Sequence, residues 1–173
     1  MKLSQITLIL VLVSFSIQMS AQKCPVPEGK HLINTDEAGN NIAMEGYDLV
    51  QFFANKKEKG NFDFKATHQG IDYLFVSETN KNKFEANPKA YLPVYGGFCA
   101  VAAYFGKAEE LQTYDIYEVV DGKLYFNKNS KAEKIWKKNP KKIIKKADYK
   151  WPCIVEDLGL KIDEPYIEPK SIK

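Results

Sequence analysis

Cys99 is the residue of this chain best placed to do chemistry. It stands in Tyr95-Gly96-Gly97-Phe98-Cys99-Ala100, where two glycines precede a run of small and apolar residues that reads as the opening turn of a helix. Unpaired backbone N–H groups at a helix start carry partial positive charge and favour a thiolate over a thiol. Such a sulfur could hold a soft metal or act as a nucleophile or redox thiol. It could equally be a small buried hydrophobe, since free cysteine is among the most buried residue types.

Each chemistry needs partners, and the chain offers few. Beside Cys99 the candidate metal ligands are His31, His68, Met44 and the outer cysteines Cys24 and Cys153. There is no C-x-x-C and no closely spaced histidine pair, which argues against a closed tetrahedral zinc site. Copper(I) accepts two or three soft ligands, and His68 is the first partner to try with Cys99; a solvated turn histidine is the plainer account of His68. A thiol enzyme would need a base, for which only the two histidines could serve, and an orienting third group, which no asparagine or aspartate in the sequence marks. P-loop, G-x-G-x-x-G and G-x-S-x-G motifs are absent. Tyr91 and Tyr95 either line a cleft over Cys99 or are core rings with hydroxyls at its boundary. Gly96 and Gly97 either shape that pocket or only let the backbone turn sharply.

Residues 1–21 combine Lys2, an apolar run from Ile6 to Ile17 and Met19-Ser20-Ala21, the pattern of a secretory signal cut after Ala21. The expected protein is therefore exported, either periplasmic or secreted. The remaining 152 residues are the length of one ordinary domain. They carry 24 lysines and no arginine against 22 acidic residues, which disfavours bidentate readout of nucleic acid. The lysines between Lys131 and Lys150 read as a solvated helix face, and contact with a membrane surface is not favoured. In an oxidising compartment, Cys24 and Cys153 flank the patterned region and form the expected disulfide, with two free thiols as the alternative; Cys99 is then the odd, free sulfur.

These residues must be positioned by short elements. Tyr47 to Phe53 has helical spacing. Phe62, Phe64 and Ala66 alternate with polar neighbours, and after Gln69-Gly70 the run Ile71 to Val76 completes a hairpin. Ser77 is placed to cap a helix ending at Asn87-Pro88, and a helix is expected from Gly97 to Phe105 with Gly106 as its stop. Tyr114 to Val120, an Asp121-Gly122 type I′ turn and Lys123 to Asn127 make a second hairpin. Ser130 with Glu133 reads as a capping box, and Asn139-Pro140 ends that helix and starts another. After Trp151-Pro152-Cys153 the pattern fades into an extended tail. The expected fold is α+β: two β-hairpins packed with short helices in a single compact domain over residues 42–152, after a lead-in at 22–41 and before a tail at 153–173.

Gly46-Tyr47-Asp48, Tyr91 through Ala100, Asp121 through Asn127, Trp136, Ala147-Asp148 and Trp151-Pro152 together resemble the YHS-domain family, in its exported stand-alone form. Leu49 and Phe126 depart from the usual proline and leucine. The resemblance implies a compact α+β fold and, by analogy with modules fused to metal-transporting ATPases, soft-metal handling. The expected function is an exported binding or accessory module, with a metal ion or a protein as partner. The alternatives are a thiol-dependent enzyme or redox protein, and a structural or partner-binding domain in which Cys99 only packs.

Overall fold

The computed structural model describes Ile33, Thr35 and residues 41–157. In chain order the regular elements are α1 (Leu49–Phe53), β1 (Asn61–His68), β2 (Ile71–Phe75), α2 (Glu78–Ala86), α3 (Pro88–Tyr91), α4 (Ala100–Phe105), β3 (Tyr117–Val120), β4 (Lys123–Phe126), α5 (Ser130–Trp136) and α6 (Pro140–Asp157). Short 3₁₀ turns at Met44–Gly46 and Val94–Gly97 join them. The architecture is α+β, with two separate two-stranded antiparallel sheets.

Both hairpins follow from their turns. Gln69 and Gly70 turn with φ of 52° and 78°, and Asp121 and Gly122 with 51° and 73°, the left-handed pair that a type I′ connection demands. The first ladder is irregular between Asn61 and Lys65, whereas Tyr117↔Phe126 to Val120↔Lys123 pair without a break.

The second hairpin divides two apolar clusters. A strand sends alternate side chains to opposite faces, and β4 uses this fully. Leu124 and Phe126 join a cluster with Phe52, Phe75 and Phe84, while Tyr125 joins another with Tyr95, Cys99, Trp136 and Ile143. Leu124, Tyr125 and Phe126 are all buried. The first cluster is closed by α1, α2 and the first hairpin. The second is closed by α4, which packs against α5 and α6.

Asp48 ties the first half together. It is fully buried and caps α1 by accepting from the N–H groups of Val50 (2.8 Å) and Gln51 (3.3 Å). Its other oxygen accepts from Val76 N–H (2.9 Å) and from Asn80 Nδ2 (2.7 Å), which fixes α1 to the end of β2 and the start of α2.

Several boundaries differ from expectation; β3, for one, starts at Tyr117 and not at Tyr114. The helix after Gly97 starts at Ala100, because Tyr95, Gly96 and Gly97 have φ of 57°, 61° and 78° and so form a left-handed turn that no right-handed helix can include. The cap of α5 is Asn129, whose Oδ1 accepts from Ala132 N–H at 3.0 Å; Ser130 is already helical. Finally, α6 runs past Pro152 and Cys153 to Asp157 instead of fading. Ile143, Ala147, Trp151 and Ile154 keep helical spacing against the second cluster, and Val155 packs with Phe98; this burial carries the helix through a proline. Among the described residues, no helix is long and apolar enough to cross a membrane. The expected signal at 1–21 lies outside them, as does His31.

Candidate functional site

Cys99 is fixed from three directions. The left-handed turn at Tyr95-Gly96-Gly97 aims the chain into α4, and a Cβ at Gly97 would stand 2.2 Å from Met44 Sδ, so any side chain there would have to displace Met44. The backbone of Cys99 bridges to Phe126 in parallel sense, and its N–H donates to the Glu109 carbonyl at 3.0 Å. Its own carbonyl accepts from Ala103 N–H at 3.0 Å, making Cys99 the N-cap residue of α4.

The sulfur does not collect the helix N–H groups. Val101 N–H donates instead to Asn127 Oδ1, at 3.4 Å, and Cys99 Sγ lies 3.9 Å from the same oxygen, the position of an S–H donor. Asn127 is itself fully buried, held by its N–H bond to the Ile116 carbonyl at 2.9 Å. The group in hydrogen-bond reach of the sulfur is thus an amide oxygen that accepts from the S–H, with the Lys128 ammonium as the nearby charge. Asn127 is the site residue that sequence reasoning missed as a partner of the cysteine.

Cys99 is 1% exposed, yet it forms part of the floor of a cleft of about 560 Å³. Val101, Ala102 and Phe105 of α4 make one wall, and Ala132 and Ile135 of α5 another. Lys107, Lys128, Lys131 and Glu109 supply the charged lining. Lys128 Nζ is 2.7 Å from Glu109 Oε2, and the carboxylate beside it holds the ammonium above the ordinary lysine range. Phe105, 58% exposed, stands in solvent on the cleft.

The other expected site residues go elsewhere. His68, at the end of β1, packs its ring near Tyr73 and Phe84, which belong to the first cluster, whereas Cys99 belongs to the second. Tyr91 stacks edge-on against Phe53 in the first cluster. Tyr95 is buried between Tyr125 and Trp151, and its hydroxyl donates to Asp148 Oδ1 at 2.7 Å. Burial, reinforced by that carboxylate, pushes its phenol far above the usual range. Neither tyrosine lines the cleft at Cys99, and neither do Gly96 and Gly97. Cys153 is half-buried on α6; Cys24 lies outside the described residues.

The polar groups seen at Cys99 are an amide and a lysine–carboxylate pair. None is a soft donor, so this set does not favour copper(I). Among the described residues, no group of three or more histidine, cysteine, aspartate or glutamate side chains is arranged to hold a metal ion.

Fold and site together define an α+β protein with a cysteine-floored cleft between two helices. No family model, no curated protein and no solved structure matches this chain.

Proposed function

We propose that this chain is an exported binding or accessory module of the YHS type, and that its working surface is the cleft over Cys99. Export is supported by the signal-like composition of residues 1–21. The YHS reading is supported by what the motif residues do. Asp48 caps α1 and Tyr95 with Gly96-Gly97 makes the left-handed turn. Asp121-Gly122 turns the second hairpin, Asn127 anchors Cys99, and Asp148 accepts from Tyr95. Each is a scaffold role, so the shared motif specifies a fold, and activity must be argued from the cleft itself.

The observation that carries the binding role is the cleft of about 560 Å³ with apolar walls, a few convergent polar groups and an exposed aromatic, which is the usual make-up of a small-molecule site. The thiol-enzyme reading is less well supported: the side chain that meets Sγ is an amide, which is no general base. The test is a fragment screen followed by backbone amide NMR. Perturbations should gather at Val101, Ala102, Phe105, Ala132 and Ile135, and the cleft-filling variant Ile135→Trp, at a half-buried wall position, should lose them while keeping the rest of the spectrum. Hits scattered over other surfaces, or unaffected by Ile135→Trp, would overturn the reading.

A further inference from the structure

The charges on the cleft are one-sided. Of its three lysines, Lys128 is neutralised by Glu109 at 2.7 Å. Lys107 and Lys131 are exposed, and no ion pair among the described residues involves them. More positive charge gathers at the same end of α4. Lys146 Nζ stands 4.4 Å from the centre of the Tyr104 ring, and a Cβ on Gly106 would lie 3.5 Å from Lys150 Nζ.

The walls carry the opposite message. Val101, Ala102, Phe105, Ala132 and Ile135 line one hollow with hydrocarbon and an aromatic face, Phe105 being 58% exposed at its edge. An apolar trough with unpaired ammonium groups at its rim is complementary to a molecule with the same division. We propose that the cleft binds a small amphipathic carboxylate, its carboxylate at Lys107 and Lys131 and its apolar body against the α4 and α5 walls. The volume, about 560 Å³, falls within the range of small-ligand sites and leaves ample room for a medium-length acyl or aryl chain. This rests on the cleft being the working surface. The residues that select the ligand, Phe105, Lys107, Lys131 and Ile135 among them, lie outside the YHS-like motif, so ligand choice belongs to this chain and not to the shared scaffold.

The test compares three probes of equal chain length, octanoate, 1-octanol and octylammonium, by isothermal titration and amide NMR on the whole protein. Octanoate should bind one-to-one and about ten-fold tighter than octanol, the effect of two surface-exposed charge contacts, with octylammonium weakest. The Lys107→Gln/Lys131→Gln variant, altered only at exposed positions, should bring octanoate to the affinity of octanol and leave octanol unchanged. The advantage of octanoate should also shrink as salt is raised. If octanoate and octanol bind equally in the unaltered protein, with shifts at Ala102 and Ile135, the carboxylate assignment is overturned while the cleft stands as a binding site. If none of the three perturbs the cleft, the carboxylate assignment fails, and the fragment screen then decides the cleft separately.

Discussion

Asn127 Oδ1 sits between the Cys99 sulfur, 3.9 Å away, and the Val101 N–H, 3.4 Å away, and so caps α4 from 26 residues further along the chain. The amide replaces the cysteine as the group that answers the helix N-terminus. Asn127→Ala should therefore leave a buried N–H without an acceptor and cost about 2 to 3 kcal/mol in urea unfolding. The companion test is at the cysteine. A serine oxygen is shorter than the sulfur and would be buried too far from the amide to bond well, so Cys99→Ser should destabilise more than Cys99→Ala. Equal stabilities would mean that the serine hydroxyl still finds an acceptor, Asn127 Oδ1 being the nearest.

Asp48 presents two oxygens to two pairs of donors, Val50 and Gln51 N–H on one side and Val76 N–H with Asn80 Nδ2 on the other. An asparagine has one oxygen, and whichever way its amide turns, its NH₂ must face two donors. Asp48→Asn should thus cost nearly as much as Asp48→Ala, about 3 to 4 kcal/mol by chemical denaturation, although it is nearly isosteric. A near-neutral Asp48→Asn would show that only the cap on α1 matters.

Much of the scaffold was legible because its signals are local. The Asp121-Gly122 turn, the Ser77 cap, whose Oγ accepts from Asn80 N–H at 3.2 Å, and the Asn139-Pro140 junction each declare themselves within four residues. The errors arise where tertiary contacts decide. Tyr95 takes a left-handed φ that tyrosine alone would not choose, which moved the helix start from Gly97 to Ala100. Pro152 reads as a stop, yet Ile154 and Val155 find apolar cover and carry α6 onward. Asn127 is apart from Cys99 by 28 residues and has no local mark of its role, and the meeting of α4 with α5 that makes the cleft is visible in neither helix alone.

Three buried phenols set the alkaline limit. Burial raises Tyr73 and Tyr95 above the ordinary value of 10.0, with Asp148 adding to the effect at Tyr95, and burial first and then nearby carboxylates push Tyr125 up to about 12. Below pH 10 the folded and unfolded chains hold these protons equally, and stability has no slope from them. Above pH 10 the unfolded chain releases protons that the native state keeps, so stability falls as pH rises, by about 1.4 kcal/mol per pH unit for each of Tyr73 and Tyr95. Urea midpoints between pH 9 and 11.5 should show this, and Tyr95→Phe should make the decline shallower.

Cys99 is a free, buried thiol. With Cys24 and Cys153 paired as the sequence leads us to expect, denaturation without reductant should reveal one reactive thiol per chain, and reduction should cost about 4 to 5 kcal/mol for so long a loop. Three thiols would overturn the pairing. In the native protein Cys99 should react slowly with a bulky thiol reagent, as its 1% exposure requires.

Gly97 offers the sharpest test of how Cys99 is aimed. A Cβ there would meet Met44 Sδ at 2.2 Å and Cε at 2.7 Å, on a backbone with φ of +78°. Two costs are therefore combined, a steric one that Met44 creates and a conformational one that it does not. Gly97→Ala should cost about 3 kcal/mol in the natural background, and about 1 kcal/mol when Met44 is already alanine, since the left-handed conformation still penalises a side chain. If the two costs are equal, Met44 does not press on this turn, and the clamp that sets the start of α4 must lie elsewhere.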